Sequence, residues 1–180
     1  MNTVPFNARA GTLSDPSTLC VRRRLPGPID RVWSYLVDSE LRRRWLASGV
    51  LPTAPGAHFE WVWRNDELSA SPDERPAGFP QESRANCRLV EIEAPRRLRF
   101  EWPGVGEVCI ELEPADDQVL LTLTHRRLDG EGLILDVSAG WHAHLAILIA
   151  HLESRPAPSM WSTWQALRAD YAERLGVTAG

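Results

Sequence analysis

From His58 to Arg64 the side chains alternate without a break, with Phe59, Trp61 and Trp63 on one face and His58, Glu60, Val62 and Arg64 on the other. A period of two is that of a half-buried strand, and three aromatic rings on one side need an apolar surface to cover them. Leu98, Phe100 and Trp102 alternate with charged residues in the same way, as do Val108, Ile110 and Leu112. Further strands are expected at 18–25, 84–93 and 118–127. Pro95, Pro103-Gly104 and Pro114 to Asp117 place turn chemistry between the later strands at close intervals, which predicts an antiparallel meander with one apolar face.

The period changes elsewhere. Ile29, Val32, Trp33, Leu36 and Val37 recur at helical spacing after Pro26-Gly27-Pro28, and a second short helical piece carries Leu41, Trp45 and Leu46. The strongest helix is expected from about Val137 to Glu153, where Trp141, Leu145, Leu148 and Leu152 form a narrow stripe that can lie along the sheet. Ser162 with Gln165 matches a capping box, and Trp164, Leu167, Tyr171 and Leu175 form the stripe of a separate C-terminal helix. Asn65 to Ser83, rich in proline, serine and charge, is expected as a long flexible loop. These signals divide the chain into a mobile leader over 1–17, a domain over 18–154 and a helical extension over 155–180 packed on the same domain.

Composition narrows the function. The 180 residues suit one domain, and 43% hydrophobic with 24% charged residues is ordinary for a soluble protein. The apolar stretch Leu145 to Ile149 is far short of the roughly 20 residues that span a bilayer, and the N-terminus lacks the blocks of a signal peptide. A cytoplasmic protein with no membrane insertion is the expectation. All twenty basic residues are arginine, so lysine Schiff bases and phosphate-loop lysines are excluded. The net charge of -4 argues against nucleic acid as the main partner, and the runs Arg22 to Arg24 and Arg42 to Arg44 are expected on solvated faces. Cys20, Cys87 and Cys109 have no CxxC spacing, and His144 and His151 stand two turns apart, about 10 Å, on the long helix. No metal or other cofactor is expected.

Several blocks resemble the activator of heat-shock-protein-90 ATPase homologue family. They are Pro28 to Trp33, Leu41 to Trp45, Val90 to Leu98 with Glu101-Trp102, Val108 to Pro114 leading into Leu121 to His125, and Gly140-Trp141-His142 followed by Leu145, Leu148 and Leu152. The resemblance covers about Leu19 to Glu153 and implies an α+β helix-grip (START-like) fold, a curved antiparallel sheet wrapped around a long helix. Proteins of this kind include lipid carriers, hormone receptors and aromatic polyketide cyclases, so it also implies an internal cavity for a hydrophobic or aromatic small molecule. The family name comes from a co-chaperone whose additional chaperone-binding domain does not fit within this chain.

On this reading the cavity is lined by Phe59, Trp61, Trp63, Leu89, Glu91, Phe100, Trp102, Trp141, Leu145 and Leu148, with its mouth beneath the 65–83 loop. Glu91 points inward if Leu89 does and outward if Val90 and Ile92 do. Trp164, in the C-terminal extension, is expected to lie outside the pocket. Non-catalytic binding is the first expectation. An aromatase/cyclase-like enzyme in which Glu91, His58 or His125 moves a proton is the second, and an interaction module contacting a chaperone, or its own copy through the C-terminal extension, is the third.

Overall fold

The computed structural model describes residues 4–176. Seven antiparallel strands form one sheet in the order β1-β2-β7-β6-β5-β4-β3. They are β1 (Thr12–Asp15), β2 (Thr18–Pro26), β3 (His58–Trp63), β4 (Ser83–Glu93), β5 (Arg97–Trp102), β6 (Gly106–Ala115) and β7 (Gln118–Arg126). Between β2 and β3 lie α1 (Ile29–Val37) and α2 (Ser39–Arg43), and after β7 come α3 (Glu131–Leu152) and α4 (Met160–Leu175). This is the helix-grip arrangement, with α3 held against the apolar face of the sheet.

The alternation places Leu98 and Phe100 of β5, Val108, Ile110 and Leu112 of β6 and Leu121 and Leu123 of β7 in the core. Opposite them, Trp141, Leu145, Leu148 and Leu152 are buried as one stripe of α3. Burial of α3 extends well beyond that stripe, because α4 covers a second side of it. By length and composition α3 could cross a membrane, but 72% of its most apolar window is buried inside the protein, as in a core helix.

The outer face of the sheet carries ion pairs, among them Arg88–Glu101 at 2.9 Å and Arg97–Glu111 at 3.0 Å. Glu91 belongs to this face. It pairs with Arg97 and Arg99 at 3.3 Å each, so it is not a cavity residue. The cause is a bulge in β4 between Leu89 and Glu91: Leu89 opposes Phe100 and Ile92 opposes Leu98, so two inward positions stand three residues apart. Neither parity considered in the sequence holds along the whole strand.

Three other expectations are corrected. The stretch expected as a mobile leader contains a strand: β1 pairs with β2, the Asn7 side chain exchanges two 2.7 Å hydrogen bonds with the Arg24 backbone, and Gly11 N donates to Tyr171 Oη at 2.6 Å. Residues 1–3 of that leader lie outside the described residues. The expected capping box at Ser162 lies inside α4, whose N-cap is Ser159. Finally, the arginine runs are not wholly solvated, since Arg23 is 1% and Arg42 0% exposed.

The two buried arginines differ sharply. Arg42 donates through Nε to Ala47 O at 3.1 Å, through Nη1 to Leu36 O and Val37 O at 2.9 and 3.1 Å, and through Nη2 to Gly49 O, while its guanidinium lies 4.8 Å from the Trp61 ring centroid. Gly49, at φ +133°, approaches the Glu60 carbonyl too closely for any Cβ. Arg23 follows the inward parity of Leu19, Val21 and Leu25 on β2. Its Nη1 reaches Arg22 O at 2.8 Å, but Nε and Nη2 are buried with no partner among the described residues.

Candidate functional site: an aromatic cavity between α3, α4 and the 65–83 loop

The space between the centre of the sheet and α3 is filled. Phe59, Trp61 and Phe100 pack edge to face, with centroids 4.7 to 6.0 Å apart, and Leu89, Leu145 and Leu148 are completely buried around them. These six residues, expected in the cavity wall, form solid core. The rings occupy the volume that an open cavity would need.

The cavity lies to one side, at the ends of β3 and β5, and measures about 360 Å³. Trp63 and Trp102 stack at 4.7 Å with an interplanar angle of 7° and form one wall. Trp141 and His144 on α3 form the next wall, with Leu133 and Val137 further along the same helix. The third wall comes from Met160, Trp161 and Trp164 of α4, in the extension expected outside the pocket, and from Phe79 of the loop expected over its mouth. Of the ten residues expected to line the cavity, Trp63, Trp102 and Trp141 do so. Trp164 lines it too, contrary to its expected place outside.

Trp164 is held inward by its Nε1, which donates to Asp136 O of α3 at 3.1 Å. Beside it, Arg168 pairs with the Asp136 carboxylate at 2.6 Å. The 65–83 loop is fastened to the same helix. Asp66 accepts from Trp161 Nε1 at 2.8 Å, Ser69 Oγ from Trp161 N at 3.1 Å, and Glu74 O from Gln165 Nε2 at 3.0 Å, while Ser159 Oγ donates to the Glu74 carboxylate. Two short 3-10 turns, Asn65–Leu68 and Pro72–Glu74, lie within the stretch expected as a flexible loop. Phe79 closes the arrangement between Trp161 and Trp164, 5.2 and 4.9 Å from their centroids. A large aromatic residue in an otherwise polar loop, and two tryptophans three apart near the start of α4, were the available sequence signals for this wall.

The polar side chains of the lining are Asn65, Asp136 and His144, with Gln81, Ser83 and Arg84 at exposed positions. Trp141 Nε1 donates to His125 Nδ1 at 3.0 Å, behind the wall, and burial pushes the His125 imidazole down to about 4. His144 Nδ1 lies 2.6 Å from Trp45 O, and burial likewise pushes that imidazole to about 4, so it stays neutral. Asn65 Oδ1 is buried with no partner among the described residues. His58 lies on an exposed position of β3. Cys87 is buried, which pushes its thiol up to about 12, outside the range of a nucleophile at neutral pH. Among the described residues no three His, Cys, Asp or Glu side chains are grouped to hold a metal ion.

The curved sheet, the gripped helix and a lateral aromatic cavity define a helix-grip protein with a small-molecule-sized pocket. The chain belongs to the activator of Hsp90 ATPase homolog 1-like family, whose model matches residues 26–153. It is similar to the Bordetella parapertussis protein encoded by gene BPP1335, with 40% identity, a TM-score of 0.78, and coverage of 91% of this chain and 89% of that one. CalU16 from Micromonospora echinospora shares the fold at 24% identity and a TM-score of 0.62, covering 87% of this chain and 86% of that one. DynU16, a protein in the dynemicin biosynthetic locus, shares it at 20% identity and a TM-score of 0.61, over 82% of this chain and 51% of that one. No curated protein matches the chain.

Proposed function

We propose that the protein binds an apolar aromatic small molecule in the cavity between α3, α4 and the 65–83 loop, and holds it without chemistry. The observation that carries this reading is the wall itself: five of the eight tryptophans, with Phe79, surround one space of about 360 Å³. Planar rings offer flat apolar surface and edge-to-face partners for another ring, and a concave apolar site with few polar groups suits such a ligand. Membership of the family supports a small-molecule pocket, and the association of DynU16 with a biosynthetic locus is in keeping with it. Of the groups that a cyclase-like reaction was expected to use, Glu91 faces outward, His58 is exposed and His125 sits behind Trp141. With three free cysteines, we assign the protein to the cytoplasm.

Titration with the neutral fluorescent probe N-phenyl-1-naphthylamine tests this. The probe should saturate at one site. Trp164→Ala and Phe79→Ala should each weaken it by roughly tenfold or more, the loss expected when a large ring contact is removed. Arg88→Ala, on the outer face, should leave the affinity as it is. Binding that ignores Trp164 and Phe79, or fails to saturate, would place the ligand elsewhere.

A further inference from the structure

We propose that the cavity selects aromatic ligands bearing a neutral hydrogen-bond donor, such as a phenolic hydroxyl or a ring N–H, because two acceptors in its wall away from the exposed rim, Asn65 Oδ1 and His144 Nε2, are left unmatched. This rests on the reading of the cavity as an aromatic pocket and goes beyond it by naming the ligand's polar group.

The indole donors of Trp141, Trp161 and Trp164 are already engaged, and Gln81, Ser83 and Arg84, which also line the cavity, are exposed and open to water. The indole N–H of Trp141 goes to His125, that of Trp161 to Asp66 and that of Trp164 to the Asp136 carbonyl. The Asp136 carboxylate, the charged acceptor nearest this wall, is occupied by Arg168. Two groups remain. The Trp45 carbonyl can only accept, so the His144 proton sits on Nδ1, and Nε2 keeps a lone pair with no partner among the described residues. The Asn65 amide, in the 3-10 turn that follows β3, buries its Oδ1 without any donor among the described residues. Both residues line the cavity, one from the sheet side and one from α3. A buried acceptor that loses water and gains no donor is costly, so a ligand that brings a donor has an advantage over its apolar isostere. The imidazole does not supply a donor in turn, because it stays unprotonated far below neutral pH. A ligand whose only polar group is a carbonyl therefore finds no match at these two atoms.

The test compares 2-naphthol with 2-methylnaphthalene, which have nearly the same shape, by isothermal titration calorimetry. The expected result is roughly tenfold tighter binding of 2-naphthol, about one hydrogen bond to a desolvated acceptor. His144 also holds the Trp45 carbonyl, and its replacement risks the fold. The second reading is therefore taken on the unaltered protein: the 15N resonance of His144 Nε2 should move on adding 2-naphthol and stay in place on adding 2-methylnaphthalene. Asn65→Leu should narrow the difference between the two compounds. Equal affinity, or a preference with no movement of the Nε2 signal, would overturn the acceptor proposal while leaving the aromatic pocket intact. Binding of neither compound would overturn the pocket reading and this proposal with it.

Discussion

Replacing Arg42 by methionine will lower the unfolding free energy by about 3–5 kcal/mol, whereas the same change at Arg23 will leave stability unchanged or raise it by about 1–4 kcal/mol. Both side chains are buried, and their difference lies in what the guanidinium meets. Arg42 satisfies the carbonyls of Leu36, Val37, Ala47 and Gly49 at once and caps the Trp61 ring, so it ties the end of α1 and the segment after α2 to β3. Methionine would fill the volume but strand those carbonyls, each at a cost of about 1–3 kcal/mol where water cannot reach it. Burial also makes the Arg42 charge less favourable, pushing it down to about 10, with Asp38 opposing that change. Arg23 has the burial without the compensation, because two of its three nitrogens meet nothing among the described residues. Urea denaturation of the two variants measures both changes. A neutral Arg42→Met, or an Arg23→Met that loses several kcal/mol, would show that the two sites have been assigned the wrong energetics.

Acid should unfold the protein early, with stability flat above pH 6.5 and falling steeply below it. His125, His142 and His144 are each held in the fold at about 4, against 6.5 for the unfolded chain. Burial is the leading cause in all three. Around His142, Arg23 and Arg174 further disfavour the cation and Asp170 favours it. Between about pH 6.5 and 4 the unfolded chain takes up protons that the folded protein refuses, so stability present at neutral pH is lost as pH falls. Each histidine contributes a slope of about 1.4 kcal/mol per pH unit, and three together about 4. Since domains hold only about 5–15 kcal/mol in total, such a slope brings unfolding above the range where surface carboxylates titrate. Unfolding free energies from urea curves at half-unit pH steps would show it. A curve that stays flat down to pH 4.5 would mean that the imidazoles titrate normally and are not sealed.

Much of the architecture follows from periodicity. Alternation in β3, β5 and β6, and the stripe of α3, each had one way to bury their apolar side, and the sheet and helix are each other's only adequate partners. The site was less legible. Strand alternation identifies which side of Phe59, Trp61 and Trp63 is buried, but it does not tell a ring packed on other rings from a ring facing a void. That distinction depends on distances among side chains from β3, β5 and α3. Glu91 was ambiguous because a bulge leaves both parities apolar, and no local residue pattern announces it. The wall built by Phe79, Trp161 and Trp164 required knowing that α4 packs beside α3 and draws the loop onto itself. Arg23, by contrast, was readable: it shares the parity of Leu19, Val21 and Leu25, and charge outweighed position in the expectation of a solvated face.

The eight indole N–H signals offer the most direct test of the central claim, that an aromatic ligand lies between α3, α4 and the 65–83 loop. A two-dimensional 15N–1H spectrum of the protein titrated with 2-methylnaphthalene reports all of them together. The signals of Trp63, Trp102, Trp141, Trp161 and Trp164 should shift and saturate with one affinity, while that of Trp33, in the core and not in the cavity wall, stays in place. Shifts confined to Trp33, Trp45 and Trp61, or a spectrum that does not change, would contradict it.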